Sequence, residues 1–281
     1  MTEAFSRLRR LARWIGYCAC ALAPASALAQ EQEQRKTPVF ELDPVADSVF
    51  FGGTLLVAAT SEAIIATGEI EAQLPDDSAE LIFIDEWAAK RDSASLRGAQ
   101  TSDIGVLATA AWAITDTTLA GFGKRVDSAL TYGTLYAESA TTTWMLCNLF
   151  KIAVRRPRPR AYIELRETGS VTPGTQEALS FYSLHTAFAA TLASTASYLV
   201  LTRDAPALEQ WLVVGGGTAA TLVVGGGRIL TAAHFTTDVI AGVGAGVMVG
   251  VLVPHLHRVT PLKLTTSVEH DGGTIGVAGT F

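Results

Sequence analysis

Six apolar stretches, separated by short polar ones, constrain this 281-residue chain more than any other feature. They run roughly Ala46–Gly68, Ile104–Phe122, Thr134–Val154, His185–Leu201, Leu208–Gly226 and Asp238–Val253. Each is too long for a typical strand, so each reads as a helix. Hydrophobic residues make up 49% of the chain and charged ones 17%, against about 25% charged in ordinary soluble domains. The expected fold is all-α: a bundle of about six helices, membrane-embedded, with a short C-terminal β-hairpin-like tail. The tail is read from alternating residues on both sides of Asp271-Gly272-Gly273. The last two stretches are rich in Gly, Ala and Val, which lets helices pack closely in a bilayer. A Gly- and Ala-rich soluble bundle has a similar composition. Glu62, Asp116, Glu138 and Asn148 interrupt the apolar runs and weigh against simple spans.

The N-terminus reads as an export signal over residues 1–29. Arg7, Arg9, Arg10 and Arg13 precede an apolar run, and Ala27-Leu28-Ala29 fits a cleavage site; an uncleaved anchoring helix is the alternative. Residues 30–43 read as a linker, 44–256 as the helical domain and 257–281 as the tail. Cys18 and Cys20 fall in the signal, which leaves Cys147 and excludes an internal disulfide or a multi-cysteine zinc site. The formal net charge of −6 argues against nucleic acid as a partner. Within this acidic chain Arg155, Arg156, Arg158 and Arg160 crowd one short stretch, the composition of a small anion site.

Three separated clusters hold most of the reactive side chains. In the first, Pro157 and Pro159 end the third long helix near Arg155. Lys151 then lies on its last turn and Arg158 on the loop beyond, where both can converge on a tetrahedral anion. The other reading is a positive flank that anchors a helix at a membrane surface. In the second cluster Ser183 can cap the helix that begins near His185, whose N-terminus then offers free N–H groups to an anion. His185 can donate a proton to a leaving oxygen, or serve only as structure. In the third, Arg228 is followed by His234 and Asp238, four residues apart and so on one helical face. A carboxylate there can fix the imidazole tautomer and stabilise an imidazolium; a purely structural His–Asp pair has the same spacing.

Taken in order, Lys-x6-Arg-Pro, Ser-x-His and Arg-x5-His-x3-Asp resemble the signature of the phosphatidic acid phosphatase type 2 (PAP2) superfamily. The likeness covers about Lys151 to Asp238. That superfamily includes membrane lipid-phosphate phosphatases, secreted acid phosphatases and vanadium haloperoxidases. The resemblance implies that Lys151, Arg158 and Arg228 bind phosphate oxygens, joined by Ser183 and the backbone amide of Leu184. It implies that His234 attacks phosphorus, oriented by Asp238, and that His185 protonates the leaving group and then activates water. It also implies a PAP2-like phosphatase domain over 44–256 that uses no cofactor and no metal. Two positions depart from the pattern. Tyr182-Ser183-Leu184-His185 stands where Pro-Ser-Gly-His is usual, and Gly227 precedes Arg228 where Ser is usual.

The implied substrate is a lipid phosphate or isoprenyl diphosphate, or a small soluble phosphoester if the protein is a secreted acid phosphatase. A weakened phosphate-lipid binding protein is the non-enzymatic alternative. The implied location is the cell membrane with the site facing the periplasm or exterior, or else the soluble periplasm. A cleaved signal followed by three full spans before Lys151 would instead turn the site to the cytoplasm. His255, His257 and His270 lie past the last apolar run; His255 with His257 can in principle bind a metal, but a solvated interface pair is the favoured reading.

Overall fold

The structure, a computed structural model, describes residues 39–71, 73, 75, 81–91, 99–121, 126–171, 174–259, 263–269 and 272–278. The expected signal, residues 1–29, lies outside them, and so do residues 30–38 of the linker. The described helices belong to one unit, Phe40–Phe281. The chain is mostly helical: α1 (Pro44–Thr67), α2 (Phe83–Ala89), α3 (Ala99–Gly121), α4 (Val126–Val154), α5 (Pro159–Thr168), α6 (Leu184–Thr202), α7 (Ala207–Leu230) and α8 (Thr236–Leu256). These are eight α-helices among the described residues, with a 3-10 turn at Thr175–Ala178, rather than about six. The additional two, α2 and α5, have 7 and 10 residues, too short to stand out as long apolar stretches. Strands β1 (Lys263–Glu269) and β2 (Gly272–Ala278) pair antiparallel; the turn between them lies outside the described residues.

Local chemistry sets the helix ends. Asp43 caps α1 by accepting from the Val45 and Ala46 amides at 2.9 and 3.0 Å, and Pro44 follows at the first helical position. Residues 39–43, read as part of a linker, are docked: the Glu41 amide donates to the His257 carbonyl at 2.9 Å and Phe40 is buried. The prolines stop α4 at Val154, and Arg155 turns the chain in the left-handed region at φ 49°.

Helices α1, α6, α7 and α8 are long and apolar enough to cross a membrane. Their outward faces carry exposed Leu56, Leu212, Leu222, Ile240 and Met248, a surface suited to lipid rather than water. The polar residues that interrupted the apolar runs turn inward. Glu62 accepts from Trp144 Nε1 at 3.1 Å and from Asn148 Nδ2 at 2.9 Å. Asp116 accepts from the Tyr136 hydroxyl at 2.8 Å. Pairing between helices removes the cost of leaving such groups in an apolar medium.

Glycines on α8 bring it against α6. A Cβ on Gly242, Gly246 or Gly250 would collide with the carbonyl oxygens of Ser183, Ala187 and Thr191. This contact also fixes the start of α6 beside the start of α8. We expect Gly246→Ala to cost about 1–3 kcal/mol by overpacking, read as a lower Tm in detergent. Gly244→Ala, whose added carbon meets nothing within 4 Å, should leave Tm unchanged.

Candidate active site

The C-terminal ends of α4 and α7 and the N-terminal ends of α6 and α8 meet at one end of the bundle. His234 lies between α7 and α8, almost fully buried. Ala232 in the left-handed region at φ 51° reverses the chain after α7, and the His234 amide folds back onto the Arg228 carbonyl at 3.3 Å. His234 Nδ1 lies 2.7 Å from the Ser180 carbonyl oxygen. A carbonyl can only accept, so Nδ1 carries the proton and the Nε2 lone pair is free.

The partner of the imidazole differs from the expected one. Asp238 Oδ2 stands 3.9 Å from His234 Nδ1, near enough to stabilise positive charge but too far for a hydrogen bond. Asp238 instead holds the segment that orients the ring. Its carboxylate accepts from the Ser180 hydroxyl and from the Phe235 amide at 2.9 Å. Its own backbone carbonyl accepts from the Ser183 amide at 3.2 Å. Ser180 therefore joins Asp238 through its side chain to His234 through its backbone.

Behind this lies a network that the sequence reading did not assign. Arg156 Nη1 donates to Asp238 Oδ1 and to Thr237 Oγ1, both at 2.7 Å, and Nη2 donates to Asp85 Oδ2 at 2.8 Å. Asp85 on α2 also accepts from the Thr237 amide at 3.0 Å and hydroxyl at 2.6 Å. The Arg156 guanidinium lies 4.1 Å over the Phe235 ring. Asp85 and Asp238 are both wholly buried, so one planar guanidinium neutralises two carboxylates and locks the start of α8.

The three expected phosphate-binding cations converge on the imidazoles. Arg158 is buried and donates to the Ala233 carbonyl, next to His234, at 3.2 Å. Lys151 has no hydrogen-bond partner among the described residues, and the buried Nε of Arg228 has none either. Burial, followed by Arg158, Arg228 and Lys151, holds His234 well below the usual histidine range, and the Ser180 bond offsets this only in part. His185 lies within electrostatic reach of Arg228, Lys151 and Arg158 as well as Asp103. Its Nε2 is 3.4 Å from Asp103 Oδ1 on α3, a neighbour with no signal in the sequence.

Ser183 is the N-cap of α6 but makes no side-chain cap bond; its hydroxyl pairs with Thr186 Oγ1 at 2.9 Å. That departs from the expected cap and leaves the first amides of α6 to another acceptor. The two unusual residues nearby pack into one apolar cluster. Leu184 lies against a cluster of Cys147, Tyr182 and Ala187, and Cys147 donates to the Tyr182 carbonyl at 3.2 Å.

The unfolded chain binds a proton at position 234 more readily than the folded one. Stability therefore rises with pH between the two pKa values and is lost as pH falls below the ordinary histidine range, about 6.5. We expect Tm to fall between about pH 7.5 and 5.5 by more in the wild type than in His234→Asn. Equal slopes would show that this ring does not carry the effect.

Residues 132–260 match the family model of the PAP2 superfamily. No curated protein matches the chain. Among solved structures, a transmembrane PAP2 type phosphatidylglycerolphosphate phosphatase from Bacillus subtilis matches at 19% identity and a TM-score of 0.41, covering 76% of this chain and 94% of that one.

Proposed function

We propose that this chain, through its PAP2-superfamily region, hydrolyses a lipid phosphate or isoprenyl diphosphate by way of a phospho-histidine on His234, without a metal at that site. One observation carries the reading: the Nδ1–H bond to the Ser180 carbonyl leaves the Nε2 lone pair of a deprotonated ring free among Lys151, Arg158 and Arg228. The three cations bind the phosphoryl oxygens, helped by Ser183 and the Leu184 amide. Nε2 forms a bond to phosphorus as the P–O bond to the leaving group, ester in a monophosphate and anhydride in a diphosphate, breaks in line, and His185 delivers a proton to the leaving oxygen. The new positive charge on His234 is stabilised by the Ser180 carbonyl and by Asp238. His185, now a base, takes a proton from water, which attacks phosphorus and releases phosphate with His234 restored. Three fixed cations do for the equatorial oxygens what Mg²⁺ does elsewhere, and their field repels a divalent ion.

The lipid character of the substrate is supported by the apolar helices that can cross a membrane and by an apolar groove between α3, α6 and α7. Ala108, Trp112, Leu192, Ala196 and Leu212 line that groove, and Ala108 and Trp112 share α3 with Asp103, which lies beside His185. The test is phosphate release in detergent with EDTA, comparing phosphatidate, phosphatidylglycerophosphate and an isoprenyl diphosphate with a soluble phosphomonoester. Sustained release from a lipid substrate is expected. Loss of turnover on chelation would contradict the mechanism, and a preference for the soluble ester would contradict the lipid reading.

An exterior-facing site places a demand on the N-terminus. Glu41 and Asp47 lie beside His257 at the end of α8, whereas the site lies at its start. If α8 spans the membrane, an exterior site requires residue 43 on the cytoplasmic face, and a cleaved export signal requires it outside. We favour the exterior site. An impermeant maleimide should then fail to label a cysteine placed at Glu41 in intact cells; labelling there would turn the site to the cytoplasm.

A further inference from the structure

At the end of the bundle away from the phosphate site, three helices contribute one ligand-type side chain each. Asp47 lies in the first turn of α1, Glu138 in α4 and His257 just after α8. From Asp238 to His257 the chain advances about 28 Å along α8 at the usual helical rise. His257 was expected to be half of a solvated pair with His255. The two rings part instead. His255 Nδ1 meets the Tyr198 hydroxyl at 2.8 Å, and His257 turns inward, its side chain 14% exposed.

The bonding of this cluster is incomplete. His257 Nδ1 lies 2.8 Å from the Val253 carbonyl oxygen and so must donate to it. In the neutral ring, Nε2 then presents a lone pair to Asp47 Oδ1 and Glu138 Oε2, each 3.2 Å away. Two carboxylate oxygens and a lone pair facing one another repel. Protonating Nε2 supplies a single N–H, whose geometry suits Asp47. It leaves Glu138, wholly buried, with neither oxygen hydrogen-bonded, and Asp47 Oδ2 is likewise unpartnered. A buried carboxylate without donors is costly.

We propose that Asp47, Glu138 and His257 form a site for a divalent first-row transition metal, with Zn²⁺ as the best fit. The donor atoms of all three residues lie within 4.8 Å of one another. The 3.2 Å spacings from Nε2 fit tetrahedral ligands at about 2.0–2.1 Å from a metal, whose own separation is about 3.3 Å. One imidazole nitrogen with two carboxylate oxygens suits zinc or manganese better than calcium, which takes oxygen alone. The Nδ1–H bond to a backbone carbonyl is the outer contact that fixes a ligating histidine in the required tautomer. A +2 ion cancels the two carboxylate charges and ties α1, α4 and α8 together. The site is structural, and its loss lowers Tm without slowing phosphate release at 25 °C.

The test uses the full chain in detergent, stripped with chelator and titrated with Zn²⁺ by calorimetry and with Co²⁺ by its visible absorption. One equivalent per chain is expected, with a higher Tm in its presence. Glu138→Gln, nearly isosteric, should weaken binding at least about ten-fold, and His257→Ala should do the same. His255→Ala should bind as the wild type does. If His257→Ala does not fold, Glu138→Gln and the wild-type stoichiometry decide. Absence of a saturable equivalent in the wild type would overturn the proposal, as would equal affinity in Glu138→Gln. Loss of binding in His255→Ala would overturn this ligand set.

Discussion

His234→Ala should lower phosphate release by about 10⁴-fold or more while the protein still binds inorganic phosphate or vanadate. The substitution removes the proposed nucleophile, the Nε2 lone pair that the Ser180 bond leaves free, and losses of that size follow deletion of a nucleophile whose partners act as a unit. The cage of Lys151, Arg158 and Arg228 remains, so anion binding should persist and separates lost chemistry from lost folding. The cost to stability should be smaller. The Ser180 carbonyl loses its donor, at about 1–3 kcal/mol, partly offset because a buried ring held below its usual range is removed. Residual turnover within ten-fold of the wild type would place the nucleophile elsewhere.

The second large effect is on stability. Arg156→Ala should cost about 3–5 kcal/mol, because it strands Asp85 and Asp238, both wholly buried, without a counter-charge. Activity should fall with it, since Asp238 holds the Ser180 segment and the start of α6 through the Ser183 amide. Arg156→Lys should recover only part of either, because an ammonium cannot reproduce the two-pronged bridge between the carboxylates. Lys90→Ala is the comparison. Its pair with Glu86 is exposed, and such pairs contribute about 0–1 kcal/mol. A drop in Tm for Arg156→Ala no larger than that for Lys90→Ala would contradict the assigned network.

What could be read from the sequence is what local pattern carries. The apolar runs became helices because their length and composition allow little else. Pro157 and Pro159 marked the end of α4 because proline cannot continue a helix. Lys151, Arg158, Ser183, Leu184, His185, Arg228, His234 and Asp238 could be named because their motif spacing is recognisable, and the fold gathers them at one end. The bonds between them were less legible. His234 and Asp238 have the spacing of a hydrogen-bonded pair, yet the loop before α8 sets the ring against a carbonyl 54 positions earlier. Asp85 meets Arg156 across 71 positions from a helix of only 7 residues, and no local rule reports such a pairing. Asp103 beside His185 lies just before an apolar run and carried no signal, and Glu138 beside His257 looked only like an interruption of one.

The most direct measurement is to trap the covalent species. His185→Ala is mixed with a phosphoryl-labelled nitrophenyl phosphate, whose leaving group departs without the proton His185 would supply, quenched in alkali and digested. If His234 is the nucleophile and His185 activates the water, label should accumulate, stable to alkali and lost in acid, on the peptide that contains His234. A burst of nitrophenol with no label on that peptide, or label that survives acid on another, would contradict the account.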